Sequence, residues 1–192
     1  MKKQELQEYP STFTVIFVWA AIFALCQFAP LFSLLEGCGI TLINGQWYRL
    51  FSGWLLHRNL LHLAVNVIAL YHSGSYLERI LGSKKFLCFA IGSALLSECA
   101  LSCIVFPDGI NIMGGSILVF TCLGMILVLL NCGYPKIRLH TRRGDWLLGY
   151  AILGNLPLIP MVQIGTVITH LLSCCIGIVL GFLYVKLQKQ DT

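Results

Sequence analysis

The chain has 192 residues, of which 57% are hydrophobic and only 11% are charged, and its mean hydropathy is +0.81. A soluble domain averages about 25% charged residues, so this composition excludes a disordered chain, a nucleic-acid-binding arm and an ordinary cytosolic enzyme. What the formal net charge of +5 indicates depends on where along the chain the charged residues lie. We predict a single polytopic membrane domain over residues 1–192.

Six apolar segments follow one another along the chain and predict six membrane-spanning helices, since a span needs about 20 residues. The fourth segment is short, and the fifth meets Pro157 and then Pro160. The first follows two lysines but is too long for a cleaved signal peptide, so we expect a retained helix. The predicted spans cover residues 13–35, 60–77, 84–106, 116–131, 146–159 and 166–187.

The basic residues lie almost entirely on one side of this predicted topology. Of the 13 Lys and Arg residues, all except Arg49 and Arg58 lie at the N-terminus, in the second or fourth connection, or at the C-terminus. The positive-inside rule then predicts that both termini are cytoplasmic. Topology therefore accounts for the net charge, and we expect no nucleic-acid partner.

Cysteine and histidine spacing gives no sign of a disulfide framework or a metal site. The nine cysteines are scattered through apolar segments without a CxxC pair, and their number is odd. His57 and His62 lie five residues apart but lack a completing set of ligands, and no HExxH motif is present. We expect neither a metal nor another cofactor.

Four polar groups fall at a similar predicted depth, in the outer third of the membrane. Ser116 begins the fourth span, His62 lies near the outer end of the second with Asn66 one turn deeper, and His170 lies early in the sixth. A serine, a base and hydrogen-bond donors are the groups that acyl transfer requires. Equal depth does not place them on facing sides of their helices, so their meeting is a hypothesis.

Each of these residues also has an ordinary structural interpretation. Intramembrane serines usually bond to their own helix, and a lone histidine can be a packing residue. The surroundings favour function: Gly114 and Gly115 permit a tight backbone before Ser116, and a helix N-terminus offers N–H groups to an oxyanion. After His170, small residues recur every four positions and predict a close helix contact. They are Ser173, Gly177 and Gly181.

The order and spacing of these motifs resemble the rhomboid family of intramembrane serine proteases, over residues 47–181. The family's first-loop signature is similar to the segment that begins at Trp47, and its GxSG motif is similar to the segment that begins at Gly114. The matching residues are Trp47, Arg49, His57, His62, Asn66, Glu78, Arg79, Gly82, Ser83, Gly114, Gly115, Ser116, His170, Ser173, Gly177 and Gly181.

The resemblance implies a catalytic role for four of these side chains. Ser116 would be the nucleophile and His170 its general base, in a dyad without an acidic third member. His62, Asn66 and the backbone N–H of Ser116 would bind the oxyanion.

The same resemblance implies structural roles around this site. Arg49 and His57 would fix the first loop and the start of the second span. That loop, residues 36–53, would lie partly in the outer leaflet. The fifth span and residues 157–165 would form a mobile gate and cap.

As a whole, the resemblance implies an all-α bundle of six transmembrane helices that cleaves transmembrane helices near the outer membrane face. Its substrates would be single-span membrane proteins within the lipid bilayer. The compact six-span form is typical of a bacterial inner (plasma) membrane protein with the active site facing outward.

Three residues depart from the family pattern. Ile117 replaces the glycine that follows the serine, and Ser173 replaces the first glycine after His170. In the family these small residues let the fourth and sixth helices touch, so a larger side chain could separate serine from histidine. Phe120 stands where many members have a tyrosine, which keeps the stacking surface and removes the hydroxyl.

Two other functions stay open at this stage. Ile117 and Ser173 favour a catalytically inactive rhomboid-like protein that binds transmembrane helices. Glu98, in the middle of the third span, favours a small transporter that uses this carboxylate and the histidines, since a charge at that depth costs about 2.5–3.5 kcal/mol.

Overall fold

A computed structural model describes residues 8–29, 31–37, 42, 44–105, 112–134, 142–155 and 164–190. These residues form helices joined by turns and loops, with one isolated antiparallel bridge between Gly37 and Ile112. The helices are α1 (Pro10–Phe28), α2 (Phe32–Leu35), α3 (Arg49–Ser52), α4 (Leu60–Leu81), α5 (Ser83–Ala100), α6 (Ser116–Asn131), α7 (Arg142–Leu153) and α8 (Ile164–Gln188). A 3₁₀ turn (Gly53–Leu55) follows α3, and a π-helical turn (Leu101–Val105) extends α5.

Three helical segments are long and apolar enough to cross a membrane, within the described parts of the chain. They are Pro10–Phe28, Ser83–Val105 and Ile164–Gln188, and Ser116–Asn131 is a shorter apolar helix. Helix α4 has 22 residues, but His62, Asn66 and His72 interrupt its apolar sequence. The chain is therefore an all-helical membrane protein, whereas the number of spans and the side on which each terminus lies stay predictions.

The first predicted span, 13–35, is too long at its C-terminal end. Helix α1 ends at Phe28, and Ala29 is extended with φ −140° and ψ 144°. Ala29 precedes Pro30 in the sequence, and the proline ring disfavours helical geometry in the residue before it. Apolar composition continues past this break into the separate helix α2, so hydropathy alone could not locate the helix end.

The later helices begin and end close to the predicted positions. Helix α6 has the predicted bounds, and α4 continues to Leu81, where Gly82 with φ +80° ends it. Helix α7 begins at Arg142 and ends at Leu153, earlier than predicted at both ends. Of the predicted cap, residues 157–163 lie outside the described residues.

Helix α6 is the centre of the bundle, because 12 of its 16 residues are buried. Helix α8 packs along its length, and α4 contacts both α1 and α6. A helix of only 16 residues, covered on most sides, can hold its N-terminus below the ends of longer neighbours. Ser116 is the first residue of this helix.

One end of the bundle is closed by a buried carboxylate. Glu78, near the end of α4, accepts hydrogen bonds from the backbone N–H groups of Ser11 and Thr12 at 2.9 and 2.8 Å and from the Thr12 hydroxyl at 2.7 Å. A carboxylate at a helix N-terminus satisfies unpaired N–H groups and the helix dipole. Arg79 donates to the Tyr9 hydroxyl at 2.7 Å. These bonds fix the start of α1 against the end of α4.

Candidate active site

Two glycines form the tight turn that leads into the N-terminus of α6. Gly114 has φ +124°, a conformation that other residues rarely adopt, and a Cβ there would lie 2.9 Å from the His62 ring and 3.6 Å from the Ser116 hydroxyl oxygen. At Gly115 a Cβ would overlap the Trp19 ring. The Ser116 hydroxyl and the His62 imidazole therefore face the same small space beside Gly114.

His57 holds the backbone of this turn. The N–H of Gly115 donates a hydrogen bond to His57 Nε2 at 3.3 Å, and the imidazole ring lies 5.0 Å from the Trp19 ring and 5.1 Å from the His62 ring. Burial, and to a smaller extent the neighbouring His62, lower the pKa of His57 to about 3. His57 is therefore neutral, as an acceptor of the Gly115 N–H must be.

The His170 ring reaches α6 one turn beyond Ser116. It stacks on Phe120 with ring centroids 4.0 Å apart and planes 13° from parallel. Phe120 follows Ser116 by four residues, a spacing that places both on the same face of a helix. His170 is itself buried, and its Nδ1 lies 3.3 Å from Asn155 Oδ1.

Asn66 joins the same region from α4. Its amide nitrogen donates to the backbone oxygen of His62 at 3.0 Å, and its Oδ1 accepts a hydrogen bond of 2.7 Å from the Tyr150 hydroxyl. The Tyr150 ring lies 5.3 Å from the Phe120 ring. Side chains from four helices thus converge on the N-terminal turns of α6.

Small residues allow α6 and α8 to approach closely enough for this arrangement. A Cβ at Gly177 would overlap the Thr121 carbonyl oxygen, and one at Gly124 would overlap the Cys174 carbonyl oxygen. This contact forms with Ile117 and Ser173 present, both fully buried. The separation of these helices that Ile117 could cause is therefore not observed.

Arg49 anchors the first loop. Its Nε donates to Gln46 Oε1 at 2.6 Å and its Nη1 donates to the Glu36 carbonyl oxygen at 2.8 Å, and the side chain is buried. The loop also bonds to the segment before α6, through Gly37 and Ile112 and through the N–H of Gly114 to the Gly53 carbonyl oxygen at 3.2 Å. The position of Ser116 therefore depends on this loop.

Four residues in this region were not predicted from the sequence. Trp19 was hidden in an apolar span, and Gly124 belongs to no motif. Tyr150 and Asn155 carried a usable signal, because polar side chains in an apolar segment are costly unless they have a partner.

No group of three or more His, Cys, Asp or Glu side chains able to hold a metal ion occurs within the described ranges. Glu98 is buried, and its carboxylate oxygens face the Gly37 and Gly53 backbone, where a Cβ would lie 2.8 and 2.5 Å away. That carboxylate has no hydrogen-bond partner among the described residues. It contacts the first loop from α5.

Comparison with known proteins gives the family. The model of the Rhomboid domain matches residues 44–187. YdcA of Bacillus subtilis (strain 168), provisionally named a rhomboid protease, is 26% identical over 155 residues, which cover 80% of this chain and 75% of YdcA.

Two further relatives match over shorter stretches. The rhomboid protease GluP of Bacillus subtilis is 34% identical over 84 residues, which cover 44% of this chain and 16% of GluP. The rhomboid protease GlpG of Pectobacterium atrosepticum is 35% identical over 95 residues, which cover 48% of this chain and 34% of GlpG. Because the family model matches most of this chain, the chain belongs to the rhomboid family of integral membrane proteins.

Proposed function

We propose that the chain is an intramembrane serine endopeptidase that cleaves transmembrane substrate helices through Ser116 and His170. The observation that carries this proposal is the stack of His170 on Phe120, one helical turn from Ser116. The resulting position of an imidazole from α8 beside the first turns of α6 supports His170 as the base and Ser116 as the nucleophile. The rhomboid protease names of the relatives support the same chemistry.

In the proposed reaction, the Ser116 oxygen attacks the carbonyl carbon of the scissile peptide bond while His170 takes the hydroxyl proton. The resulting imidazolium returns that proton to the departing amine, and an acyl-enzyme remains on Ser116. Water then attacks the ester carbonyl, again losing a proton to His170. The new carboxyl group leaves as Ser116 recovers its proton, so no metal or other cofactor is required.

The negative charge on the tetrahedral intermediate would be bound beside Gly114. The His62 ring faces this space, and the N–H of Ser116 lies at a helix N-terminus, where the dipole favours an anion. The Asn66 amide adds a donor from the next turn of α4. Gly114 and Gly115 keep the space open, and Arg49 and His57 hold the backbone around it.

The substrates would be single-span membrane proteins that enter from the lipid bilayer. The distribution of Lys and Arg favours six spans with cytoplasmic termini, and therefore an active site that faces outward. A bacterial inner membrane is the location that fits this orientation and the bacterial relatives.

Labelling and cleavage together test the proposal. Purified protein in detergent and in liposomes is offered a single-span reporter and, separately, a serine-reactive phosphonate. We expect wild-type protein to cleave the reporter and to be labelled at Ser116. We expect Ser116→Ala to lose both activities and His170→Ala to lose cleavage.

The matched control is Ser93→Ala, which makes the same change at a buried serine that bonds to its own helix α5. It should retain wild-type cleavage and labelling. Wild-type protein that neither cleaves nor labels would instead support the inactive helix-binding protein. Cleavage by Ser116→Ala at the wild-type rate would overturn the assignment of the nucleophile.

A further inference from the structure

Asn155, which follows the end of α7, contacts the proposed base. Its Oδ1 lies 3.3 Å from Nδ1 of His170. An amide oxygen can only accept a hydrogen bond, so this contact is a bond when Nδ1 carries the proton. The Asn155 amide nitrogen donates a hydrogen bond to the Ala151 carbonyl oxygen at 2.8 Å. Asn155 thus presents its acceptor, and not its donor, to Nδ1 of His170.

The choice of tautomer decides whether an imidazole can act as a base at a given nitrogen. A neutral ring with its proton on Nδ1 has its free electron pair on Nε2. A general base needs that pair directed at the hydroxyl proton. With Nδ1 turned toward Asn155, Nε2 is the nitrogen left for Ser116.

We infer that Asn155 is a positioning residue that holds His170 with its proton on Nδ1 and its ring fixed against Phe120. This inference rests on the proposed function and supplies a neutral third member to the proposed serine–histidine pair. Asn155 touches no reacting atom, and it acts only through His170.

The same stretch of chain also orients a proposed oxyanion donor. Tyr150, one turn and a half before Asn155, donates its hydroxyl to Asn66 Oδ1 at 2.7 Å. With its oxygen occupied, the Asn66 amide gives one N–H to the His62 carbonyl oxygen and keeps a second donor. The end of α7 therefore fixes both the base and a donor, and Phe120 contacts the Tyr150 and His170 rings between them.

Nitrogen-15 NMR of histidine-labelled protein in micelles tests the tautomer without requiring activity. The chain has only five histidines, and the His170 signal is assigned by its loss in His170→Ala. We expect Nδ1–H in the wild type and a mixture of tautomers in Asn155→Leu, which keeps a side chain branched at Cγ without the acceptor. An Nε2–H tautomer in the wild type, or no change in the variant, would overturn the inference.

Reporter kinetics test the consequence. We expect Asn155→Leu to lower kcat by about 10- to 100-fold, the size of one lost orienting hydrogen bond, with KM unchanged. Asn155→Asp keeps an acceptor and should retain most of kcat. Because its carboxylate stabilises the imidazolium, the acidic limb of its pH–rate profile should move to higher pH.

Asn131→Leu is the matched control, since Asn131 lies at the far end of α6 and bonds to the Leu127 carbonyl of its own helix. It should leave kcat and the His170 signal unchanged. A wild-type kcat in Asn155→Leu would overturn the positioning role. A wild-type protein that neither cleaves nor labels would instead refute the proposed function, and the NMR signal would still decide the role of Asn155.

Discussion

Two buried glutamates mark opposite ends of the bundle and differ in how they are paired. Glu78 receives three hydrogen bonds from the first turn of α1. Glu98, near the C-terminal end of α5, has no hydrogen-bond partner among the described residues and contacts the glycine backbone of the first loop. A buried glutamate thus stabilises one end of the bundle, whereas at the other end its carboxylate has no partner within the described ranges.

Other buried polar atoms without a partner, among the described residues, cluster on the side of Glu98. They include Trp19 Nε1, Trp54 Nε1, His57 Nδ1, Ser97 Oγ and Ser102 Oγ. Most buried polar groups in proteins are paired, and each exception costs stability. Unpaired polar groups are expected at positions where function, rather than stability, determines which residue is present. The end with Glu78 therefore holds the bundle together, and the end with Ser116 carries the proposed chemistry.

The largest effect should come from the functional end. Asn66→Ala should lower reporter turnover by about 10²- to 10³-fold, the loss typical of one oxyanion donor. Its free energy of unfolding should fall by about 1–3 kcal/mol, because the buried Tyr150 hydroxyl loses its acceptor. Asn131→Ala makes the same change far from Ser116 and should cleave at the wild-type rate. Wild-type turnover in Asn66→Ala would exclude this residue from the oxyanion site.

The next effect should come from the anchoring end. Glu78→Ala leaves the N–H groups of Ser11 and Thr12 without a partner and should lower the free energy of unfolding by about 3 kcal/mol. Thermal unfolding in detergent measures this loss, and phosphonate labelling measures the active fraction. Glu78→Gln keeps an acceptor and should be affected less. Equal stability of Glu78→Ala and wild type would contradict the anchoring role.

His57 should make stability depend on pH. Its pKa is lowered from 6.5 to about 3 by burial and by His62, so between these values the unfolded chain binds a proton that the folded chain does not. Stability should therefore fall as the pH is lowered from about 6.5 toward 3. His57→Gln cannot be protonated there, so its unfolding temperature should fall less steeply with pH. If the unfolding temperatures of the two proteins fall equally steeply with pH, His57 is not the source of the pH dependence.

The smallest effect should come from Glu98→Gln. The carboxylate has no hydrogen-bond partner among the residues that the structure describes, so we expect stability within about 0.5 kcal/mol of wild type and unchanged reporter cleavage. Glu98→Leu gives a second comparison, because it removes the polar group altogether. A function abolished in Glu98→Gln and retained in Ser116→Ala would favour the transporter over the protease.

Much of the fold could be predicted from the sequence, because hydropathy and helix stop signals act locally. The bounds of α6 were predicted, and Gly82 ends α4 where a glycine with positive φ is expected. The end of α1 was predicted wrongly, because the break at Ala29 comes from backbone geometry before Pro30 rather than from a change in polarity.

By itself, the sequence determined the membrane class and the motifs at Ser116, His62, Asn66 and His170, because composition and spacing do not depend on how the chain folds. Only the tertiary structure decided which sides of the helices meet. Trp19 behind Gly115, Tyr150 against Asn66 and Asn155 beside His170 depend on how helices rotate about their own axes. That rotation is set by packing between distant segments. One example is the close contact of α6 with α8, which is possible because Gly124 and Gly177 have no Cβ.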